Sequence, residues 1–164
     1  MLFRSNNDVR IAALCDIDAD QNCLSEWIDA AYKEDLKETV IYKDYDQMLN
    51  RENLDVISIC VPTHLHCELT NKALNKGIHV LCEKPMALNE DQCEYMIKTA
   101  DRNKRVLQIG HCIRFWPEYV AVKEKIEAGK YGSVKAAVFQ RYSSCPKGWR
   151  SEEHTSELQS PNTI

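Results

Sequence analysis

The chain has 164 residues, 44% of them apolar and 28% charged, with a formal net charge of −4 and eight cysteines. Length and balance predict a soluble globular chain with one sizeable core, and the lack of a basic run argues against nucleic acid or an anionic membrane as partner. No apolar stretch approaches the ~20 residues that span a bilayer, and no secretory segment opens the chain, so a cytoplasmic address is expected.

Residues 9–15 form a short apolar run ended by Asp16, and Leu24, Trp27, Ile28 and Ala31 follow at helical spacing, so strand then helix is expected. Residues 39–42 read as a second strand, and Asp44 with Gln47 three residues on is a capping-box-like start for a small helix. A third strand, 56–61, opens into a proline-containing polar turn. Leu65, Leu69 and Ala73 then form a helical stripe that Gly77 can end in the left-handed conformation.

Strand 78–82 runs into Glu83-Lys84-Pro85, after which Asn89 can cap a helix carrying Cys93, Met96, Ile97 and Ala100 at i, i+3, i+4 and i+7. Strand 105–110 returns. Pro117 fits the first turn of a helix with Tyr119, Val122 and Ile126 on one face, and Gly129 stops it. Strands and helices alternating at these lengths predict an α/β fold on a parallel sheet with right-handed crossovers. Residues 134–142 alternate differently and are expected to be the first strand of another domain.

Eight cysteines invite a disulfide or zinc reading. Cys15, Cys60 and Cys82 end strand-like runs, however, and Cys23 and Cys93 fall on apolar helix faces, where a free thiol acts as a small hydrophobe. His64, His66, Cys67, Cys82, His111 and Cys112 could gather at one sheet edge, but no pair has the Cys-x2-Cys spacing of structural zinc, and no metal is expected.

The stretch from Cys82 to Leu88 carries the most chemistry: an adjacent acid and amine at the end of an apolar strand, with the backbone fixed by proline. Val61-Pro62-Thr63 with His66 has the same layout one strand earlier, so two strand ends point at one site. These runs, followed by Gly110-His111 with Arg114-Phe115, resemble the Gfo/Idh/MocA oxidoreductases, the glucose-fructose oxidoreductase and inositol dehydrogenase group, over about residues 6–149. The glycine-rich first turn of that family and its second-domain aspartate-histidine motif have no counterpart here.

The resemblance implies an incomplete Rossmann-type doubly wound parallel sheet lacking its first strand, plus the start of a second α+β domain. Residues 6–118 would be the partial NAD-binding domain and 119–149 the linking helix and first strand of a substrate domain. Lys84 is the expected catalytic residue: an ammonium beside the carbon that loses hydride can bond the substrate hydroxyl and favour its alkoxide.

Asp16 stands where an acid accepts the adenosine ribose hydroxyls; it would repel a 2′-phosphate by about 4 kcal/mol at 4 Å and an effective dielectric near 20, favouring NAD over NADP. Its bland alternative is a cap for the next helix. Pro62 and Thr63 are expected under the nicotinamide ring, with Glu83 orienting Lys84, a cis bond before Pro85, and Arg114 donating to cofactor or substrate. His66 is assigned near the substrate, although the residue pattern alone favours a packed histidine in a first helical turn. His79, between apolar strand residues, is read as structural. The expected partner is a sugar or cyclic polyol of the inositol type, acted on by a homo-oligomer; the alternative is a cofactor-binding sensor without turnover.

Residues 150–160 resemble the in-frame translation of a sequencing-library adapter and residues 2–5 its opposite partner. On that reading 1–5 and 150–164 are non-native, the chain is an inactive fragment of its parent, and the loss of a central strand leaves two apolar edges.

Overall fold

The computed structural model describes residues 9–18 and 38–140. Five strands, β1 (Ala13–Cys15), β2 (Val40–Tyr42), β3 (Val56–Ile59), β4 (His79–Cys82) and β5 (Leu107–Ile109), alternate with helices α1 (Tyr45–Arg51), α2 (Thr63–Asn75) and α3 (Glu90–Asn103). A 3-10 turn, Cys112–Phe115, precedes α4 (Pro117–Glu127). The helix expected around residues 24–31 and the adapter-like ends lie outside the described residues.

Local chemistry explains the boundaries. Asp44 caps α1 by accepting the Gln47 N–H at 2.6 Å, and Asn89 caps α3 by accepting that of Gln92 at 3.0 Å. Helix α2 ends at Gly77, whose φ of 79° suits a residue with no Cβ, whereas α3 ends on Lys104 at φ 54°.

Every strand pairing is parallel, as the alternating pattern predicts. The strands form two sheets, β1-β2 and β3-β4-β5. The bonds Asp16 N–H to Tyr42 O and Val40 N–H to Ala12 O turn the peptide groups of residues 12, 14 and 16 toward β2. Those of Ala13 and Cys15 therefore face the other edge. On β3, His79 N–H to Asp55 O and Glu83 N–H to Ile59 O turn residues 55, 57 and 59 toward β4, so Val56, Ser58 and Cys60 present their peptide groups to the opposite edge. Among the described residues neither edge has a partner strand.

The core is built from Ile59 of β3, Ala73 and Leu74 of α2, Val80 and Cys82 of β4, and Met96 and Ala100 of α3, joined by Tyr42, Met48 and Leu49. Each large side chain buried here contributes about 1.5–3 kcal/mol. Tyr45 of α1 donates its hydroxyl to the Leu69 carbonyl at 3.0 Å, tying α1 to α2.

A second unit begins at Pro117, two residues before the expected boundary. Its helix starts at Pro117 and is followed by Gly129 at φ 64°, as expected, but the apolar face of Tyr119, Val122 and Ile126 is exposed. The strand expected from residue 134 is a correction: residues 134–140 carry no strand, and Val138 and Phe139 are exposed. A strand exists only through its ladder, and the described residues supply none for this segment.

Candidate functional site

The site is assembled where chain leaves the carboxyl ends of the parallel strands, the edge at which such sheets bind ligands. Glu83 N–H donates to the Ile59 carbonyl at 2.9 Å, and Gly110 N–H to the Cys82 carbonyl at 2.8 Å. These bonds carry the β3-β4-β5 ladder one residue past the strands and fix where the next residues begin.

Lys84 follows at once, half-buried, and the Lys84–Pro85 peptide is cis. The Glu83 carboxylate accepts the backbone N–H of Lys84 at 3.2 Å, so it shapes the turn that presents the amine. That carboxylate lies against Gly110: a Cβ there would come within 3.2–3.3 Å of its atoms. A side chain at Gly110 would need the Glu83 carboxylate to give by a few tenths of an ångström, a closeness that a motif reading of Gly110-His111 does not reveal. The signal was a glycine at the end of the strand neighbouring the one that ends in the acid.

At the end of β3 the chain passes through Cys60 and Val61 to an exposed Pro62, with φ −57° and ψ 142°, the N-cap of α2. Proline suits the position, since the first N–H groups of a helix have no internal acceptor. Thr63 is buried, and Leu65 N–H closes the first turn on the Pro62 carbonyl at 2.9 Å.

His66, one turn into α2, was expected near the substrate but is only 1% exposed. Its Nδ1 lies 2.8 Å from the Pro85 carbonyl and its Nε2 2.8 Å from the Val61 carbonyl. Both ring nitrogens are taken by main chain, so the ring is packed rather than presented. It joins the Pro62 and Lys84 turns.

Asp16 leaves β1 with an exposed carboxylate, of which Oδ1 accepts the Asp18 N–H at 2.8 Å. This is the local turn typical of aspartate at a strand end. Arg114 sits exposed in the 3-10 turn after β5, its N–H donating to the His111 carbonyl at 3.0 Å. The structure therefore draws Pro62, Thr63, His66, Glu83, Lys84 and Pro85 onto the adjoining ends of β3 and β4, with Arg114 following β5 and Asp16 on the separate β1-β2 sheet. His79 is a fastener instead: its Nδ1 accepts the Val106 N–H at 2.9 Å, holding β4 to the approach of β5.

Cys82 lies beneath these turns. Burial pushes its thiol up to about 11, the hydroxyl of Thr70 opposing and the charges of Cys60 and Glu83 adding to the rise. A thiol that keeps its proton at neutral pH is a poor nucleophile. Burial likewise raises Cys67, against a hydrogen bond from Asn71.

The family model for the Gfo/Idh/MocA oxidoreductases, described as an oxidoreductase family with an NAD-binding Rossmann fold, matches residues 2–111. The chain belongs to this family. It is 32% identical over 132 residues to the inositol 2-dehydrogenase of Salmonella typhimurium, an alignment covering 80% of this chain and 38% of that protein. It is 30% identical to the D-glucoside 3-dehydrogenase of Escherichia coli, over 90% of this chain and 40% of the relative.

Among solved structures, the myo-inositol 2-dehydrogenase of Lactobacillus plantarum matches with a TM-score of 0.66 and 33% identity, over 80% of this chain and 37% of that one. The scyllo-inositol dehydrogenase of Lactobacillus casei, solved with NAD(H) and scyllo-inositol, matches with a TM-score of 0.62 and 27% identity, over 74% of this chain and 34% of that one. This family member thus spans about two fifths of the length of its curated relatives. No helix among the described residues is long and apolar enough to cross a membrane.

Proposed function

We propose that this chain supplies the nicotinamide-binding side of an NAD-dependent oxidoreductase that moves hydride between the cofactor and a secondary alcohol of a sugar or cyclic polyol, with inositols the first candidates. The observation that carries the proposal is the pairing of the Lys84 turn with the Pro62-Thr63 turn across one buried histidine, at the carboxyl edge of a parallel sheet in a family with an NAD-binding fold.

The donor set fits the cofactor. The exposed Asp16 carboxylate suits a ribose diol, whose two hydroxyls can donate to it. Pro62 brings backbone without an N–H donor, which suits close passage of a flat ring. NAD, when bound, would supply the acceptor for the hydride of the carbinol carbon, and the hydroxyl proton would leave to water or to the aspartate-histidine motif of the family's second domain. Lys84, held by Glu83 and the Pro85 turn, donates a hydrogen bond to the substrate hydroxyl and stabilises the negative charge that grows on its oxygen. Arg114, exposed and cationic, serves cofactor phosphate or substrate. A homo-oligomer of full family length is the expected working form, and the named substrates of the relatives favour polyols.

The test is NADH formation, followed by absorbance, with a panel of inositols and glucosides. It uses the chain expressed together with the coding sequence that flanks it in its own gene. Turnover should appear, and Lys84→Met, which keeps the stem and removes the ammonium, should lower kcat by about 10²–10⁴-fold with the protein still folded. NAD binding with no turnover on any polyol would replace the dehydrogenase with a sensor.

A further inference from the structure

His66 faces carbonyl oxygens with both ring nitrogens, each at 2.8 Å, and is 1% exposed. A carbonyl oxygen only accepts, so each contact is a hydrogen bond only if the nitrogen opposite carries hydrogen. A neutral imidazole has one N–H and would turn a lone pair on the second carbonyl. His79 shows the other arrangement in the same chain, its Nδ1 accepting a backbone N–H and therefore bare of hydrogen.

The two carbonyls are not equivalent places. Val61 immediately precedes the Pro62-Thr63 turn, and Pro85 immediately follows Lys84. Beyond Glu83 the β4 strand has left its ladder, and the bond to Pro85 reaches the turn from a helix 19 residues earlier in sequence. Charge-assisted bonds of this kind are about twice as strong as neutral ones.

We propose that His66 is a positioning residue: a doubly protonated clamp that sets the separation between the turn expected under the nicotinamide and the turn that carries Lys84. The clamp is a statement about geometry and hydrogens; its catalytic consequence rests on the proposed oxidoreductase reading. Release of either carbonyl frees the Lys84 turn to move, and a misplacement of about 1 Å can cost about 10²-fold in rate.

The experiment labels histidine with ¹⁵N in the chain expressed with its flanking coding sequence, and identifies His66 through its own main-chain connectivity. Both ring nitrogens of His66 should show one-bond coupling to hydrogen, while Nδ1 of His79 shows none. A single coupled nitrogen at His66 overturns the clamp. In the same protein His66→Gln, which reaches one carbonyl at most, should lower kcat at least tenfold per folded molecule, folding being counted by calorimetry. An unchanged kcat with only a lower Tm would reduce His66 to packing and overturn the positioning role. If the unsubstituted protein shows no turnover, the oxidoreductase reading fails, and the nitrogen couplings still decide the clamp.

Discussion

The three-stranded block of β3, β4 and β5 and the two-stranded block of β1 and β2 follow the same parallel rule but differ in how their exits are held. At the first, Glu83 sits over Gly110, His66 spans two turns, and Leu74, Met96 and Cys82 lie fully buried beneath. At the second, the three residues of β1 are all half-buried and Asp16 is exposed, its carboxylate accepting the Asp18 N–H of the turn that follows. The contrast separates duties. On the proposed reading, the turn that carries Lys84 sits on a packed and cross-tied frame, and Asp16, the acid assigned to the ribose, sits where a diol and solvent can both reach it.

The strongest way to break this comparison is to cut the core on each side. Leu74→Ala, at 0% exposure, should cost about 2–5 kcal/mol of stability by denaturant titration, whereas Leu14→Ala in the half-buried β1 should cost about 1 kcal/mol. Equal losses would mean that the two blocks are equally consolidated.

Alkali offers a finer probe. Cys82 ionises near 11 when folded against an ordinary value of 9.0, so between those values the unfolded thiol gives up its proton first and stability falls as pH rises. The stabilisation is whole below about pH 9, and the loss should approach about 2–3 kcal/mol by pH 11. Burial raises Cys15 as well, with Asp44 and Asp16 adding, and the buried hydroxyl of Tyr45 is raised too, so these groups act with the same sign. Cys82→Ala should flatten the alkaline slope of Tm more than Cys15→Ala does.

The smallest effect belongs to Asp16. Its repulsion of a 2′-phosphate is screened by solvent at an exposed site, so Asp16→Ala should shift the NADP-to-NAD affinity ratio by about tenfold rather than by the full Coulomb figure. Fluorescence titration with both reduced cofactors measures it. No change in the ratio would leave Asp16 as a turn residue only.

Periodicity and end signals determined much of this protein on their own. Asp44, Asn89, Gly77 and Pro117 mark helix ends because capping and left-handed backbone are local chemistry, decided within one turn of chain. The order of strands and helices likewise dictated parallel pairing, and the motifs around Lys84 named the family. What tertiary structure alone decided is which partners those residues meet. Only the fold puts Val61 and Pro85 at the two ends of one imidazole, lays Glu83 over Gly110, and leaves residues 134–140 without a ladder among the described residues, because such contacts join strands and helices distant in sequence, whose spacing carries no record of who sits opposite whom.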